Sequence, residues 1–183
     1  MDDGRAKQVV SVLEERLVAL LDLQLVLKHI HWNVVGPNFI SVHEMLDGEV
    51  AKVRDEVDEL AERIRTLGGT PRGTVQAIVD RRTWADYPLD RALAMLHLEE
   101  LDKVYDGVIA DHRKAMSMVS DLDPVTEDLL IGQIGKLELF QWFVRSFVER
   151  SHDPSDDPRS AVPSNVQASG APNNNNQPEG AAR

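Results

Sequence analysis

The sequence predicts an all-α protein: four long helices in one bundle, a long crossover between the second and third that carries a short helix, and a disordered C-terminal tail. Three observations predict it. Apolar residues recur at three- and four-residue spacing through four long stretches. Proline and paired glycines fall between those stretches, with only isolated glycines such as Gly48 and Gly107 inside them. The alternation of a half-buried strand is almost absent. With 183 residues the chain can build one domain with a sizeable core, and it divides into a bundle over 1–150 and a tail over 151–183.

The first helix is expected over 5–35, where Val9, Val12, Leu13, Leu17, Leu20, Leu21 and Leu27 keep helical spacing without a break. Gly36-Pro37-Asn38 ends it, because proline lacks the amide a helix interior needs and disfavours helical geometry in the residue before it. The second helix runs over 39–66 and stops at Leu67-Gly68-Gly69, a helix C-terminal signal. Pro71, Gly73 and Pro88 mark a connection too long for adjacent helices, with a short helix over 74–80, so the chain crosses the bundle here. A third helix follows over 89–119. Asp123 before Pro124 forms an N-cap and N1 pair, and the fourth helix spans 125–149 with Leu129, Ile134, Leu137, Phe140, Trp142, Phe143 and Phe147.

Residues 151–183 contain no Leu, Ile, Met or aromatic residue and include the run Asn173 to Asn176 among Pro, Ala and Ser. Such a segment buries too little apolar surface to offset its ordering entropy, which predicts disorder. Asp153, Asp156, Asp157 and Glu179 against Arg159 and Arg183 leave the tail at −2 and the body at −9, of a total of −11. That balance repels nucleic acid and anionic membrane and attracts cations. Cysteine is absent, which excludes disulfides and thiolate metal sites and leaves nitrogen and oxygen ligands. An acidic amino terminus without a signal-like apolar run, and the lack of an apolar stretch of membrane-spanning length, predict a soluble cytoplasmic protein.

The second helix carries the chemistry. His43 and Asp47 stand at i and i+4, as do Asp58 and Glu62, and at 100° per residue all four project from one stripe about 100° wide. The midpoints of the two pairs are fifteen residues apart, roughly 22 Å at 1.5 Å per residue. No single ion touches both pairs within one chain. A two-fold axis through the middle of the helix would place a partner's Asp58 and Glu62 opposite His43 and Asp47, forming two identical sites at one interface. His31 reaches the same place if the first two helices pack as an antiparallel hairpin. Two imidazoles and three carboxylates suit iron(II) and favour its harder ferric product; zinc accepts the same ligands. His29 points about 200° away from His31. It reads as a packing residue, and His97 and His112 read as structural. A Glu-x-x-His pattern occurs at Glu149 and His152, one copy where an intrasubunit di-iron bundle needs two.

The stretch from Lys28-His29-Ile30-His31-Trp32-Asn33 through Gly36-Pro37-Asn38-Phe39, His43-Glu44-Met45-Leu46-Asp47 and Asp58-Glu59-Leu60-Ala61-Glu62-Arg63 resembles the Dps family of mini-ferritins. Phe140-Gln141-Trp142-Phe143 in the last helix is also similar, and the resemblance covers about residues 5–150. It implies a ferritin-like four-helix subunit and a hollow shell of twelve copies that oxidises Fe(II), preferentially with hydrogen peroxide rather than O2, and stores ferric iron. On that resemblance His31, His43 and Asp47 are ligands from one subunit, and Asp58 and Glu62 are ligands from its two-fold partner. Trp32 would lie near the centre, either as a quencher of oxidants or as a packing residue. Asp123 and Asp128 fall where the family's three-fold pores are lined, although each can equally serve its helix N-terminus, and Gly132 stands where some relatives carry another pore acid.

Family members that bind DNA commonly use basic terminal extensions, and this tail holds no Lys, so direct DNA binding is not expected. Two further readings are a DNA-compacting shell with secondary iron chemistry and a mononuclear Fe(II) oxygenase built on His31, His43 and Asp47. The first needs a basic patch. The second needs a pocket for an organic substrate.

Overall fold

A computed structural model describes residues 1–152. Residues 153–183 of the predicted tail, and the side chains of 150–152, lie outside the described residues; the last helix extends two residues past the predicted start of the tail. Four long helices, α1 (Asp3–Asn33), α2 (Phe39–Thr66), α4 (Ala94–Val119) and α5 (Pro124–His152), form the bundle, with the short α3 (Val75–Arg81) in the crossover. Two-residue strands β1 (Val34–Val35) and β2 (Ala92–Leu93) complete the order. Helix α1 packs on α2, on α4 and on α3, whereas α5 packs on α4 and α2. No helix among the described residues is long and apolar enough to cross a membrane.

Helix α1 is apolar on most of its circumference because it has neighbours on several sides. Leu13, Leu20, Leu27 and Ile30 are fully buried, as are Leu46, Leu60 and Ile64 of α2, Leu98 and Leu101 of α4, and Leu130 of α5. Each such side chain contributes about 1.5–3 kcal/mol on leaving water. The turns are built as their residues require. Gly36 sits at φ +103° and Gly68 at φ +85°, backbone conformations that favour glycine. The amides of Gly68 and Gly69 donate to the carbonyls of Arg65 and Ile64, closing α2 in a Schellman motif.

Several boundaries differ from expectation. The helix predicted over 89–119 begins at Ala94, and the first helix ends at Asn33 instead of at 35. Val34 and Val35 instead pair in parallel with Ala92 and Leu93, while the His29 ring meets the Leu89 carbonyl at 2.7 Å. These long-range bonds hold 89–93 out of the helix and tie the start of α4 to the end of α1. The expected Pro124 start holds, and the short helix begins one residue late, with the Thr74 hydroxyl accepting from the Ala77 amide as its N-cap.

Two glycines give opposite expectations. A Cβ on Gly69 would lie 2.8 Å from both Ile64 and Val10, whereas one on Gly107, in the middle of α4, meets nothing within 4 Å. Gly69→Ala should destabilise by about 1–3 kcal/mol through overpacking. Gly107→Ala should stabilise by about 0.5–1 kcal/mol through helix propensity. Thermal denaturation followed by circular dichroism checks both signs.

Candidate metal centre

The antiparallel α1–α2 hairpin brings the last turn of α1 beside the first turns of α2. There the His31 and His43 rings stack with centroids 3.6 Å apart. Each ring is clamped by the other's backbone: His31 Nδ1 lies 3.0 Å from the His43 carbonyl, and His43 Nδ1 lies 2.9 Å from the His31 carbonyl. A carbonyl only accepts, so both Nδ1 atoms carry the proton and both Nε2 atoms keep a lone pair. This is the arrangement in which a histidine presents one nitrogen to a metal while the other fixes the ring. It also satisfies the His31 carbonyl, one of the four that a helix C-terminus leaves open.

Asp47, one turn after His43, completes the set. Ligand atoms of His31, His43 and Asp47 all lie within 4.8 Å of one another. Among the described residues no other trio of histidine and carboxylate side chains converges this closely. The site grades from inside to outside: His31 is buried, His43 is half-buried and Asp47 is exposed. Lys28 donates to Asp47 at 2.9 Å, and this cation, more than the neighbouring imidazoles, holds the Asp47 carboxyl below its usual range. The Lys28 ammonium also sits 5.6 Å above the Trp32 ring, and that indole is 71% exposed. In the sequence Lys28 stands out only as part of the Lys28-His29-Ile30-His31 stretch. Its i, i+3 spacing from His31 was the available signal.

Asp58 and Glu62 are exposed on the same helix and do not join the trio, as the length of the helix dictates. His29, His97 and His112 are structural: His97 binds the Tyr87 hydroxyl, and His112 Nδ1 donates to the Val108 carbonyl. Burial, with Arg16 nearby, pushes His112 down to about 4, so it stays neutral. The two expected pore acids part company. Asp123 is buried at the start of α5, where its carboxylate accepts from the Arg63 guanidinium and the Thr126 hydroxyl. That ion pair neutralises its charge and ties α2 to α5, whereas Asp128 is exposed.

The inner side of α2 held a surprise for sequence reasoning. Its buried seam runs Val42, Leu46, Glu49, Val53, Glu56, Leu60, so two glutamates occupy core positions. Tyr105 donates to Glu49 at 2.6 Å. Burial raises Glu49 to about 7 against that hydrogen bond. Neither carboxylate oxygen of Glu56 has a hydrogen-bond partner, and the Lys136 ammonium stands 3.7 Å away. Burial raises Glu56 to about 7 as well.

Residues 10–151 match the ferritin-like domain family, and bundle and hairpin together define a ferritin-like protein. The DNA protection during starvation protein of Mycolicibacterium smegmatis is 53% identical over 149 residues, which cover 81% of each chain. The solved structure of Mycobacterium smegmatis Dps superposes with a TM-score of 0.80 at 53% identity, over 81% of this chain and 85% of that one. DpsA14 from Streptomyces coelicolor superposes at 0.77 with 55% identity, over 78% and 85%. This chain belongs to the Dps family.

Glu56 makes a pH prediction. From the ordinary 4.5 up to about 7, the folded chain keeps a proton that the unfolded chain has lost. Its contribution to stability therefore falls as pH rises through that window and stays lost above it. Glu56→Gln should raise stability by about 2 kcal/mol at pH 8 and leave it nearly unchanged at pH 4.5. Urea denaturation at the two pH values measures the difference.

Proposed function

We propose that this chain oxidises Fe(II) and stores the ferric product inside a homo-oligomeric shell, with each oxidation centre shared between two copies. One observation carries this reading: His31, His43 and Asp47 converge on the outer face of the hairpin, while Asp58 and Glu62 stand on the same exposed stripe roughly 22 Å along α2. Two-fold pairing turns two incomplete half-sites into two complete ones. A shell of twelve subunits is part of this proposal, and membership of the Dps family supports it.

In the reaction two substrate Fe(II) ions each give one electron, and one hydrogen peroxide accepts both as its O–O bond breaks, taking up two protons from solvent to leave two waters and two ferric ions. Free Fe(II) would pass a single electron to peroxide and release hydroxyl radical. The protein's own work is positioning: clamped imidazoles hold two Nε2 lone pairs in place, and three carboxylates supply the hard anionic oxygens that a ferric ion prefers. Protection of the cell from oxidative damage is the consequence of consuming Fe(II) and peroxide together. Trp32, exposed beside His31, is placed to meet an oxidant that escapes the centre. Asp128 is the better pore candidate, because Asp123 is engaged by Arg63.

A net charge of −11 disfavours the DNA-compacting alternative, which calls for a basic patch. The oxygenase alternative has the right trio, but its carboxylate lies open on the surface with no enclosure for an organic substrate.

Complementation separates shared centres from self-sufficient ones. His43→Ala and Asp58→Ala should each slow iron oxidation at least tenfold while leaving the helical content intact. Dissociating and reassembling an equal mixture should restore about a quarter of the wild-type centres, since half the pairs are hybrid and one of their two sites is whole. Stopped-flow absorbance of ferric formation after peroxide addition reads this out. Hybrids with no recovery, in a mixture shown to have exchanged, would contradict the shared centre.

A further inference from the structure

On the side of the bundle spanned by the crossover, a cavity of about 380 Å³ lies between α1, residues 82–88 and α4. Its walls are chiefly apolar, with Leu23 and Val26 from α1, Trp84 and Tyr87 from the crossover, and Val104 from α4. Gly107 also lines it, and the space in front of this glycine is empty. A glycine at mid-helix sacrifices helix propensity, and here it keeps the cavity open.

One charged group in the wall stands apart. Arg16 is only 6% exposed, its Nη1 has no hydrogen-bond partner, and among the described residues no ion pair reaches it. Every acid on the wall is already matched: Asp22 with Arg82 and the Trp84 indole, Asp86 with Arg82, Glu100 with Lys103, and Asp111 with Lys114. The fields of Asp111 and Glu15 reach Arg16, but neither acid forms an ion pair with it. Burial therefore penalises a guanidinium that these distant charges only partly compensate. A carboxylate is its natural partner, since the guanidinium fork matches two carboxylate oxygens.

We propose that this cavity is a binding site for a small monocarboxylate with an apolar body, its carboxylate on Arg16 and its body among Leu23, Val26, Trp84 and Val104. The volume is at the small end for ligand sites, which selects a single chain or ring system. An alkyl acid and an aromatic acid both fit this chemistry. The neutral, buried His112 near Arg16 adds no competing charge.

Calorimetric titration of the assembled full-length protein tests the site, with octanoate and indole-3-acetate as probes and octan-1-ol as the uncharged control. At least one acid should bind, and whichever binds more tightly identifies the body as alkyl or aromatic. Arg16→Met keeps the length and apolar stem of the side chain. It should weaken the bound acid about tenfold or more and shift octan-1-ol less than about twofold. Gly107→Phe, whose ring projects into open space, should abolish binding of acid and alcohol alike, with assembly and helical content checked by gel filtration and circular dichroism. Failure of both acids to bind the wild type would overturn the proposal, and this is also the result if a neighbouring subunit covers the cavity. Unchanged acid affinity in either variant would overturn it equally.

Discussion

A straight helix cannot bring together side chains fifteen residues apart, and most of this molecule's design follows from that rigidity. Helix α2 carries ligand-type groups at both ends of one exposed stripe and an apolar seam on the opposite side. The seam fixes which way the stripe faces, because Leu46, Val53, Leu60 and Ile64 must be buried. Core packing thus orients the chemistry, and the length of the helix prevents its completion within one chain. Under the proposed function, a second subunit completes the site for geometric reasons.

The hairpin supplies the other half of the geometry. His31 belongs to α1 and His43 to α2, and each ring closes on the other's carbonyl. These two hydrogen bonds set the proton positions and at the same time join the helices. A change that loosened the hairpin would therefore alter ligand orientation before it altered the fold. The parallel pairing of Val34–Val35 with Ala92–Leu93 braces the same end of the bundle, close behind the Gly36 turn.

Features set by local periodicity were legible in the sequence: the four helices, the Gly36-Pro37 turn, the Gly68-Gly69 stop, and the stripe of His43, Asp47, Asp58 and Glu62. What was hidden depends on contacts between distant segments. Nothing near Leu89 announces that its carbonyl will meet His29, or that Ala92 will pair with Val34, so the helix expected from 89 begins at Ala94. Lys28 lay in plain view, but its bond to Asp47 exists only once α1 and α2 are packed. Asp123 reads as a helix cap or a pore acid, and its ion pair is hidden because its partner, Arg63, is far away in sequence. Glu49 and Glu56 were overlooked for a different reason: their three- and four-residue spacing puts them in the seam, but acidic residues are normally assigned to the surface.

Lys28 explains how the site can stay ordered without a metal ion. An unpaired carboxylate beside two imidazoles would be free to turn into solvent, and a bound ammonium at 2.9 Å holds Asp47 facing the rings. The bond is exposed, so its net worth is on the order of 1 kcal/mol or less. A divalent ion brings twice the charge and can bond both imidazole nitrogens as well, so it outcompetes the lysine at Asp47. The ammonium already lies over the Trp32 ring, whose face attracts a cation. A weak internal counter-ion of this kind keeps the carboxylate oriented yet open to exchange, which suits the proposed passage of iron.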